Sequence, residues 1–307
     1  MHTLLVLLGP TGVGKTELAL RLARRYATPV INADSRQIYA DLSIGTAAPT
    51  PAQLQQVRHY FVGTLAIGDY YSAARFEADV LGLTGRLFAT RDTLLMSGGS
   101  MMYIDAVCKG IDDIPTITDE TRSMLRQRLA DEGLERLKAE LRLLDPDYYA
   151  GADLRNTQRI VHALEVCYQT GLPFSHFLTG QAKARPFRIL KIGLNRPREE
   201  LFERINARVD AMIEAGLLDE ARSMLPHRQA NALNTVGYKE MFAVLDGTWT
   251  LPFAVERMKK NTRVYAKKQL TWFRRDDTIQ WFHPDNAEAI EAWIDCQLHK
   301  DAQQHKQ

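Results

Sequence analysis

The sequence predicts an α/β fold in which a parallel sheet is flanked by helices, with an all-helical insertion between its strands. Short, continuously apolar runs alternate with stretches whose apolar residues recur at helical spacing, which is typical of strand–helix–strand units. A glycine-rich loop joins the first apolar run to the first helical stretch. Strand patterns are missing from the middle of the chain. We therefore expect a core formed by residues 1–112 and 187–307, and a helical insertion domain at 113–186.

The first hundred residues supply most of the predicted sheet. A buried strand is predicted at 3–8 and a helix at 16–26, where Leu18, Leu22 and Ala23 share one face. A second short strand follows at Val30-Ile31. Ser72 is a suitable N-cap for the next helix. The strand predicted at 93–96 ends at Gly98-Gly99.

The insertion and the last third of the chain are predicted to be mainly helical. Thr118 can cap one helix, and a second runs from about Asn156 to Gly171, with Pro173 beyond it. We expect that second helix to bury Ile160, Ala163, Leu164 and Cys167. A strand returns at 188–194, and further helices follow it.

The composition excludes several classes of protein. Hydrophobic residues make up 45% and charged residues 25% of the 307 residues, which is ordinary for a globular protein. No apolar stretch approaches the length of a membrane span. The three cysteines have neither zinc-ligand nor disulfide-framework spacing. We therefore expect a cytoplasmic protein without a membrane anchor, and nothing in the sequence requires more than a monomer.

The glycine-rich loop, Gly9–Thr16, matches the pattern G-x-x-x-x-G-K-[ST] in full. It lies between a predicted strand and a helix, so its backbone N–H groups and the helix N-terminus can surround a phosphate. Lys15 supplies a cation, and the Thr16 hydroxyl can bind Mg²⁺. A P-loop NTPase-like core is therefore expected, holding either ATP or GTP or a diphosphate leaving group. The predicted phosphate-binding residues are Gly9, Pro10, Thr11, Gly12, Val13, Gly14, Lys15 and Thr16.

Asp34 follows the second strand, at the edge of the sheet where α/β proteins place functional side chains. Three roles fit an aspartate there: a turn or cap residue, a Mg²⁺ ligand, or a general base acting opposite the glycine loop. Gln37, three residues on, can donate to and accept from an adenine edge. The local sequence does not choose among these roles.

Every charged residue in the segment 257–275 is basic, although the net charge of the whole chain is only +2. Such a run is commonly a solvated helix face. Here aromatic residues are interleaved with the basic ones, which favours a polyanionic partner such as RNA. We expect Val255, Met258, Tyr265 and Leu270 to face the core, and Lys260, Arg263, Lys267 and Lys268 to face outward.

The segments Asn32–Tyr39 and Leu42–Ala47 resemble signatures of the tRNA dimethylallyltransferase family, and further matches follow in order along almost the whole chain. Each match is weak alone, but their number and order are specific. The absence of a C-terminal zinc finger favours a bacterial or organellar form. The later matches are Tyr71-Ser72-Ala73 with Phe76, Gly98–Tyr103, Asn156–Val166, Arg208–Asp210, Gly216-Leu217, Gly237–Glu240, Thr262–Gln269 and Thr271–Arg274.

The chain departs from the family pattern at a few positions. Gly12-Val13 replaces the usual Ala-Ser, which leaves phosphate binding intact. Ser100 replaces threonine and keeps the hydroxyl. Gly63 lies near a position that is often acidic, and no role is assigned to that stretch.

The resemblance implies transfer of a dimethylallyl group from dimethylallyl diphosphate to the exocyclic amine of the adenosine 3′-adjacent to a tRNA anticodon. Asp34 would act as general base, while Lys15, Thr16, Arg208 and Mg²⁺ would stabilise the leaving diphosphate. The anticodon stem-loop would bind along the insertion and the basic segment. The implied tRNA-binding residues are Asp34, Ser35, Arg36, Gln37, Ser100, Arg122, Gln158, Arg159, Ile160, Arg263, Lys267, Lys268, Gln269, Trp272 and Arg274.

Three other functions are compatible with a P-loop core. A small-molecule kinase and a prenyltransferase acting on free adenosine phosphates both leave the basic segment without a use. A non-catalytic RNA-binding NTPase would use the basic segment but would transfer no prenyl group.

Overall fold

The computed structural model describes the chain from His2 to Gln304, with side chains described as far as Lys300. The chain divides into two compact units. The core unit comprises the residues up to Lys109 and those from Ala184 onward, and the helical unit comprises Gly110–Lys183. The sequence pattern placed the start of the insertion at 113 and its end at 186.

The core unit contains one six-stranded sheet whose strands pair only in parallel. Its spatial order is β3-β2-β4-β1-β5-β6. The parallel α/β architecture expected from the sequence is thus confirmed. The strands are β1 (Thr3–Leu8), β2 (Val30–Ala33), β3 (His59–Tyr60), β4 (Thr93–Gly98), β5 (Arg188–Leu194) and β6 (Ile279–Phe282).

Helices cover both faces of this sheet. Alternate residues of β1 point to opposite faces, so that Leu5 and Leu7 pack in one cluster of buried residues and Leu4 and Val6 in another. The helices of the core unit are α1 (Lys15–Arg25), α2 (Pro51–Gln56), α3 (Ala73–Phe88), α4 (Met101–Lys109), α9 (Arg198–Glu214), α10 (Leu217–Ser223), α11 (Tyr238–Leu245), α12 (Leu251–Phe273) and α13 (Ala287–Gln304).

A third buried cluster lies beside the sheet and positions the loop that follows β2. Ile38 and Leu42 from that loop pack with Val209 of α9 and Tyr238 of α11. All four side chains are almost completely inaccessible to solvent. The loop after β2 is therefore held by the hydrophobic core, although it has no regular secondary structure over most of its length.

The helical unit has a core of its own, in which Leu125, Leu137, Leu141 and Leu164 are fully buried. Its helix boundaries follow the expected capping residues. Thr118 caps the first helix through its side chain, as predicted. Its helices are α5 (Asp119–Glu132), α6 (Leu134–Leu144), α7 (Pro146–Gly151) and α8 (Thr157–Thr170), followed by a short 3₁₀ turn at Phe174–Phe177.

The α8 helix agrees closely with the sequence pattern. Asn156 accepts a hydrogen bond from the Arg159 amide at its N-terminus, and Gly171 takes a left-handed conformation at its C-terminus. The expected apolar face is buried at Ile160, Ala163, Leu164 and Cys167. Over the described residues, every helix is too short or too polar to cross a lipid bilayer.

Candidate active site

A cleft of about 1110 Å³ opens in the core unit, at the carboxyl ends of β1, β2 and β4. This is the edge at which open parallel sheets bind their ligands. The glycine loop (Gly9–Thr16) forms one side of the cleft. The turn after β2, residues 34–37, and the faces of α9 and α12 form the others. The two sequence features with predicted chemistry, the loop and Asp34, therefore share a single cavity.

The glycine loop has a backbone that only glycine adopts easily. Gly12 has a φ of 80° and Gly14 a φ of 107°, both in the left-handed region. A Cβ on Gly12 would lie 2.8 Å from Cγ1 of Ile205, so packing also excludes a side chain there. α1 begins immediately afterwards at Lys15, so the helix N-terminus faces the cleft.

The Lys15 side chain folds back over the loop. Its Nζ donates to the carbonyl oxygens of Gly9 at 2.9 Å and Pro10 at 2.8 Å. Burial and the nearby charge of Arg208 lower the pKa of Lys15 to about 7, although the Asp34 carboxylate opposes this shift. Lys15 is therefore a cation that a bound anion would stabilise strongly.

Two arginines of α9 lie one helical turn apart and line the cleft. The Nη2 of Arg208 donates to the carbonyl of Thr46 at 3.2 Å, and the Nε of Arg204 donates to the carbonyl of Gly12 at 3.1 Å. Burial lowers the pKa of Arg208, and Asp34 opposes that shift. Among the described residues, neither arginine forms an ion pair, so both can offer charge to an anion in the cleft.

Arg196 also touches the glycine loop, but its charge is already compensated. Its Nε donates to the carbonyl of Val13 at 2.9 Å, and its other nitrogens pair with Asp285 and Glu200. Arg196 is almost fully buried. Its contacts support the outer side of the loop.

Asp34 lies at the start of the turn after β2. Its Oδ1 accepts from the amides of Arg36 at 2.9 Å and Gln37 at 3.3 Å, so the residue does stabilise a turn. It also lines the cleft, and its negative charge offsets part of the lowering of the pKa of Lys15 and of Arg208. The turn role and a role in the cleft are thus compatible in one side chain.

The other residues predicted around Asp34 have structural partners. Gln37 donates from Nε2 to the carbonyls of Thr46 and Ala47, which closes the loop. The Ser100 hydroxyl accepts from the Ser35 amide at 2.8 Å and donates to the Ser35 hydroxyl at 3.2 Å. Gln37, Ser35 and Ser100 all line the cleft as well as holding the loop. Arg36 lines it as well.

Glycines bring β2 and β4 into close contact beneath the cleft. A Cβ on Gly98, at the end of β4, would overlap the carbonyl of Ala33. One on Gly99 would lie 2.6 Å from Nε2 of Gln269 and 3.3 Å from the carbonyl oxygen of Gly9. Gly98 therefore allows the backbones of β2 and β4 to approach each other at the floor of the site. Gly99 allows the Gln269 side chain of α12 to reach the same place.

The predicted RNA-contact residues of α12, and Arg274 directly after it, lie in different environments. Lys267, Lys268 and Arg274 are exposed, and Lys268 lines the cleft. Arg263 is half-buried and donates to Oδ1 of Asn206 at 2.6 Å. Trp272 is half-buried, and its Nε1 donates to Asp105 at 2.7 Å.

One expectation for α12 is wrong and another stays a prediction. Gln269 is 2% exposed but lines the cleft, so its predicted contact with tRNA is not settled by its burial. Tyr265 was expected to face the core, but it is 38% exposed and lines the cleft. The reason is that α12 packs on α9 and α11 as well as on the sheet, so its buried face does not follow a single stripe.

Residues predicted to contact tRNA are also present in the helical unit. Gln158 and Arg159 are exposed in the first turn of α8, and Arg122 is half-buried on α5. Ile160 is different, because its side chain has no exposed surface and packs in the core of the unit. Its expected contact with tRNA is therefore incorrect for the side chain.

Some residues of the site were not identified from the sequence. Glu220 of α10 accepts from the amides of Ile44 and Gly45, at 2.7 and 2.8 Å, and from the Tyr238 hydroxyl at 2.6 Å. It thereby fixes the loop that carries Thr46, the partner of Arg208. Arg204 is a second such residue, and for it the sequence does carry a signal, because it lies one helical turn before Arg208. The long-range partners of Glu220 leave no local pattern.

Comparison with known proteins identifies the family of this chain. The profile of the IPP transferase family matches residues 37–276. The tRNA dimethylallyltransferase 1 of Bacteroides thetaiotaomicron is 59% identical over 297 residues, covering 97% of this chain and 96% of that protein. The protein of the same name from Phocaeicola vulgatus is 60% identical over 292 residues, covering 95% of this chain and 97% of that protein.

Solved structures show the same fold. The full-length tRNA isopentenylpyrophosphate transferase from Bacillus halodurans is 31% identical, with a TM-score of 0.74 and complete coverage of both chains. A eukaryotic dimethylallyltransferase acting on tRNA is 26% identical, with a TM-score of 0.75, and covers 89% of this chain and 70% of that chain. This chain therefore belongs to the IPP transferase family, and it is a prenyltransferase.

Proposed function

We propose that this chain transfers a dimethylallyl group from dimethylallyl diphosphate to the exocyclic amine of the adenosine 3′-adjacent to a tRNA anticodon. The observation that carries the proposal is the shared cleft, in which the glycine loop and Asp34 face one cavity. The names of the similar proteins support both the prenyl donor class and tRNA as acceptor.

The glycine loop suits the leaving diphosphate. Backbone N–H groups, the α1 N-terminus and Lys15 lie on one side of the cleft, and Arg208 of α9 lines the same cavity, near enough for its charge to act on Lys15. Because an allylic carbon develops positive charge as its bond to oxygen breaks, the negative charge gathers on the diphosphate. Fixed donors and cations at that position stabilise the transition state.

Mg²⁺ fits the same side of the cleft. The Thr16 side chain is exposed there, and its hydroxyl oxygen is the kind of ligand that Mg²⁺ accepts together with phosphate oxygens and water. Thr16 would hold the ion beside the diphosphate. When bound, the ion would neutralise part of the charge on the leaving group.

Asp34 suits the acceptor. The amine of adenine is a weak nucleophile because its lone pair is delocalised into the ring. As the new C–N bond forms and the C–O bond to the diphosphate breaks, the amine must lose a proton. A carboxylate placed to take that proton typically contributes about 10²–10⁴-fold to the rate.

The adenosine must leave its stack to reach this cleft, at a cost of a few kcal/mol. Single-stranded RNA loops allow this because their bases can be splayed out. The exposed cations Lys267, Lys268 and Arg274 supply contacts for the RNA backbone. We further propose that Gln158 and Arg159, with Arg122, contribute RNA contacts from the helical unit.

One assay tests the proposal. Purified protein is incubated with Mg²⁺, labelled dimethylallyl diphosphate, and either unmodified tRNA or AMP. Label in tRNA alone supports the proposed reaction. Label in AMP would instead indicate prenylation of free nucleotides. Loss of the γ-phosphate from ATP without any prenylation would indicate a kinase or an NTPase switch.

A cytoplasmic location and a monomeric state remain predictions. Size-exclusion chromatography with light scattering would test the second. A mass of a dimer or larger at micromolar concentration would contradict it.

A further inference from the structure

Gln269 joins three segments that meet at the floor of the cleft. Its Oε1 accepts from the Thr11 amide at 2.9 Å, and its Nε2 donates to the Gly99 carbonyl at 2.8 Å. Both ends of one amide are thus used, by the glycine loop and by the turn after β4. The side chain itself belongs to α12 and is almost fully buried.

The site is built to accept this amide. A Cβ on Gly99 would lie 2.6 Å from Nε2 of Gln269 and 3.5 Å from Nζ of Lys15. Glycine at position 99 therefore leaves the space that Gln269 fills, close to the cation of the glycine loop. A buried amide with both groups satisfied is rigid, because losing either hydrogen bond would leave a buried polar group unpaired.

The contact continues to the opposite side of the cleft. Ser100 follows Gly99 directly, and its hydroxyl accepts from the amide of Ser35, which follows Asp34. Hydrogen bonds of 2.8–2.9 Å thus connect Thr11 of the glycine loop to Gln269, Gln269 to Gly99, and Ser100 to the turn that holds Asp34. The peptide bond between Gly99 and Ser100 completes the connection. Both reacting halves of the proposed site are attached to it.

We propose that Gln269 is a positioning residue, which sets the distance between the glycine loop and the Asp34 turn and does not contact tRNA. This inference rests on the proposed function, in which a donor at the loop meets an acceptor beside Asp34. A displacement of about 1 Å between reacting groups can cost about 10²-fold in rate. A side chain that fixes the two walls relative to each other therefore has a direct effect on turnover.

Glutamine is the side chain that fits this role chemically. Methionine has a similar length but can neither donate nor accept well. An ionised glutamate can accept from Thr11 but cannot donate to the Gly99 carbonyl, and it adds a negative charge beside the diphosphate position. A protonated glutamate has one donor and one acceptor, as the amide does.

The experiment compares the wild type with Gln269→Met and Gln269→Glu. The measurements are kcat, the KM for dimethylallyl diphosphate, the Kd for inorganic diphosphate and the Kd for tRNA. For Gln269→Met we expect weaker diphosphate binding and a turnover reduced by up to about 10²-fold, with the Kd for tRNA unchanged. Gln280→Met, at an exposed glutamine on β6, is the matched control and should leave every value unchanged.

The pH profile separates positioning from a purely structural role. As the pH is lowered through the titration of the new carboxyl, Gln269→Glu should regain diphosphate affinity relative to the wild type. A general loss of stability would lower the melting temperature without producing that recovery. If Gln269→Met does not fold, Gly99→Ala displaces the same amide by a different route and should also raise the Kd for diphosphate.

Three results would overturn the inference. The first is a weaker Kd for tRNA with an unchanged KM for the prenyl donor, which would make Gln269 an RNA contact. The second is diphosphate binding equal to that of the wild type in both variants. The third is a Gln269→Glu profile without recovery at low pH. A wild type that binds diphosphate but prenylates no tRNA would refute the proposed function and leave the diphosphate measurements to decide this inference alone.

Discussion

The glycine loop and α12 line the same cleft, but their geometry has different origins. In the loop, glycine φ angles and the hydrogen bonds of Lys15 involve residues only a few positions apart. In α12, Lys267 is exposed while Gln269, two residues on, is buried against the glycine loop. A local motif specifies its own shape, whereas the roles of residues along a helix are set by distant segments.

The largest expected effect concerns Asp34, which combines a local turn with a predicted chemical role. Asp34→Asn keeps an oxygen that can accept from the Arg36 and Gln37 amides but removes the base. We expect kcat to fall by about 10²–10⁴-fold, while the Kd for tRNA is retained. Single-turnover kinetics and filter binding would measure both. Turnover close to that of the wild type would exclude Asp34 as the base.

The second prediction concerns the charge of Lys15. Its pKa of about 7 means that the free protein loses this proton as the pH rises above 7, and a bound diphosphate favours the charged form. Above that pH, diphosphate affinity should therefore fall, by up to about tenfold per pH unit, with proton uptake on binding. Calorimetry in buffers of different ionisation enthalpy would detect the uptake.

Lys15→Arg provides the control for that experiment, because arginine stays charged over the whole range. Whatever its absolute affinity, its dependence on pH should be flat above pH 7.5. A wild-type affinity that is equally flat would show that Lys15 is already fully charged in the free protein.

A smaller effect is expected at Glu220, which acts only through the loop it holds. Glu220→Gln removes charge from an acceptor of three backbone amides and the Tyr238 hydroxyl. We expect a loss of stability of about 1–3 kcal/mol and a higher KM for the prenyl donor, since Arg208 bonds to the same loop. Urea unfolding would measure the first. An unchanged midpoint would mean that the loop is held by its apolar contacts alone.

The smallest effect is expected for one exposed cation of α12. Lys267→Ala should weaken tRNA binding a few-fold and reduce the slope of log Kd against log salt by about 0.7–0.9, the contribution of one phosphate contact. Arg86→Ala, at an exposed arginine on α3, is the control and should leave the slope unchanged. A slope for Lys267→Ala equal to that of the wild type would exclude a phosphate contact there.

Much of the fold was predictable because its signals are local. The buried strands β1, β2 and β4, the helix after the glycine loop and the capped helix α8 were all indicated by apolar spacing and capping residues. The short strands β3 and β6 were not, since two and four residues carry too little pattern to distinguish a strand from a loop.

The site was predictable only in part, for the same reason. Lys15 was found from the glycine-loop motif and Asp34 from its position after a strand, and both line the cleft. Glu220 and the buried state of Gln269 depend on contacts with segments more than a hundred residues away in sequence, which no local pattern records. Tyr265 was assigned to the core because helical periodicity predicts which face of a helix is buried. It does not predict where the elements that pack against that face leave a cleft.

The contact between Gly98 and Ala33 limits how this enzyme can change. Because no side chain of any size fits between those strand ends, mutation there cannot widen or narrow the floor of the cleft. Position 98 is therefore closed to adaptation to a bulkier prenyl donor, by evolution or by engineering, whereas the walls offer side chains of α9 and α12 such as Met212 and Tyr265. A library for altered donor selectivity should leave position 98 untouched and randomise those helices instead.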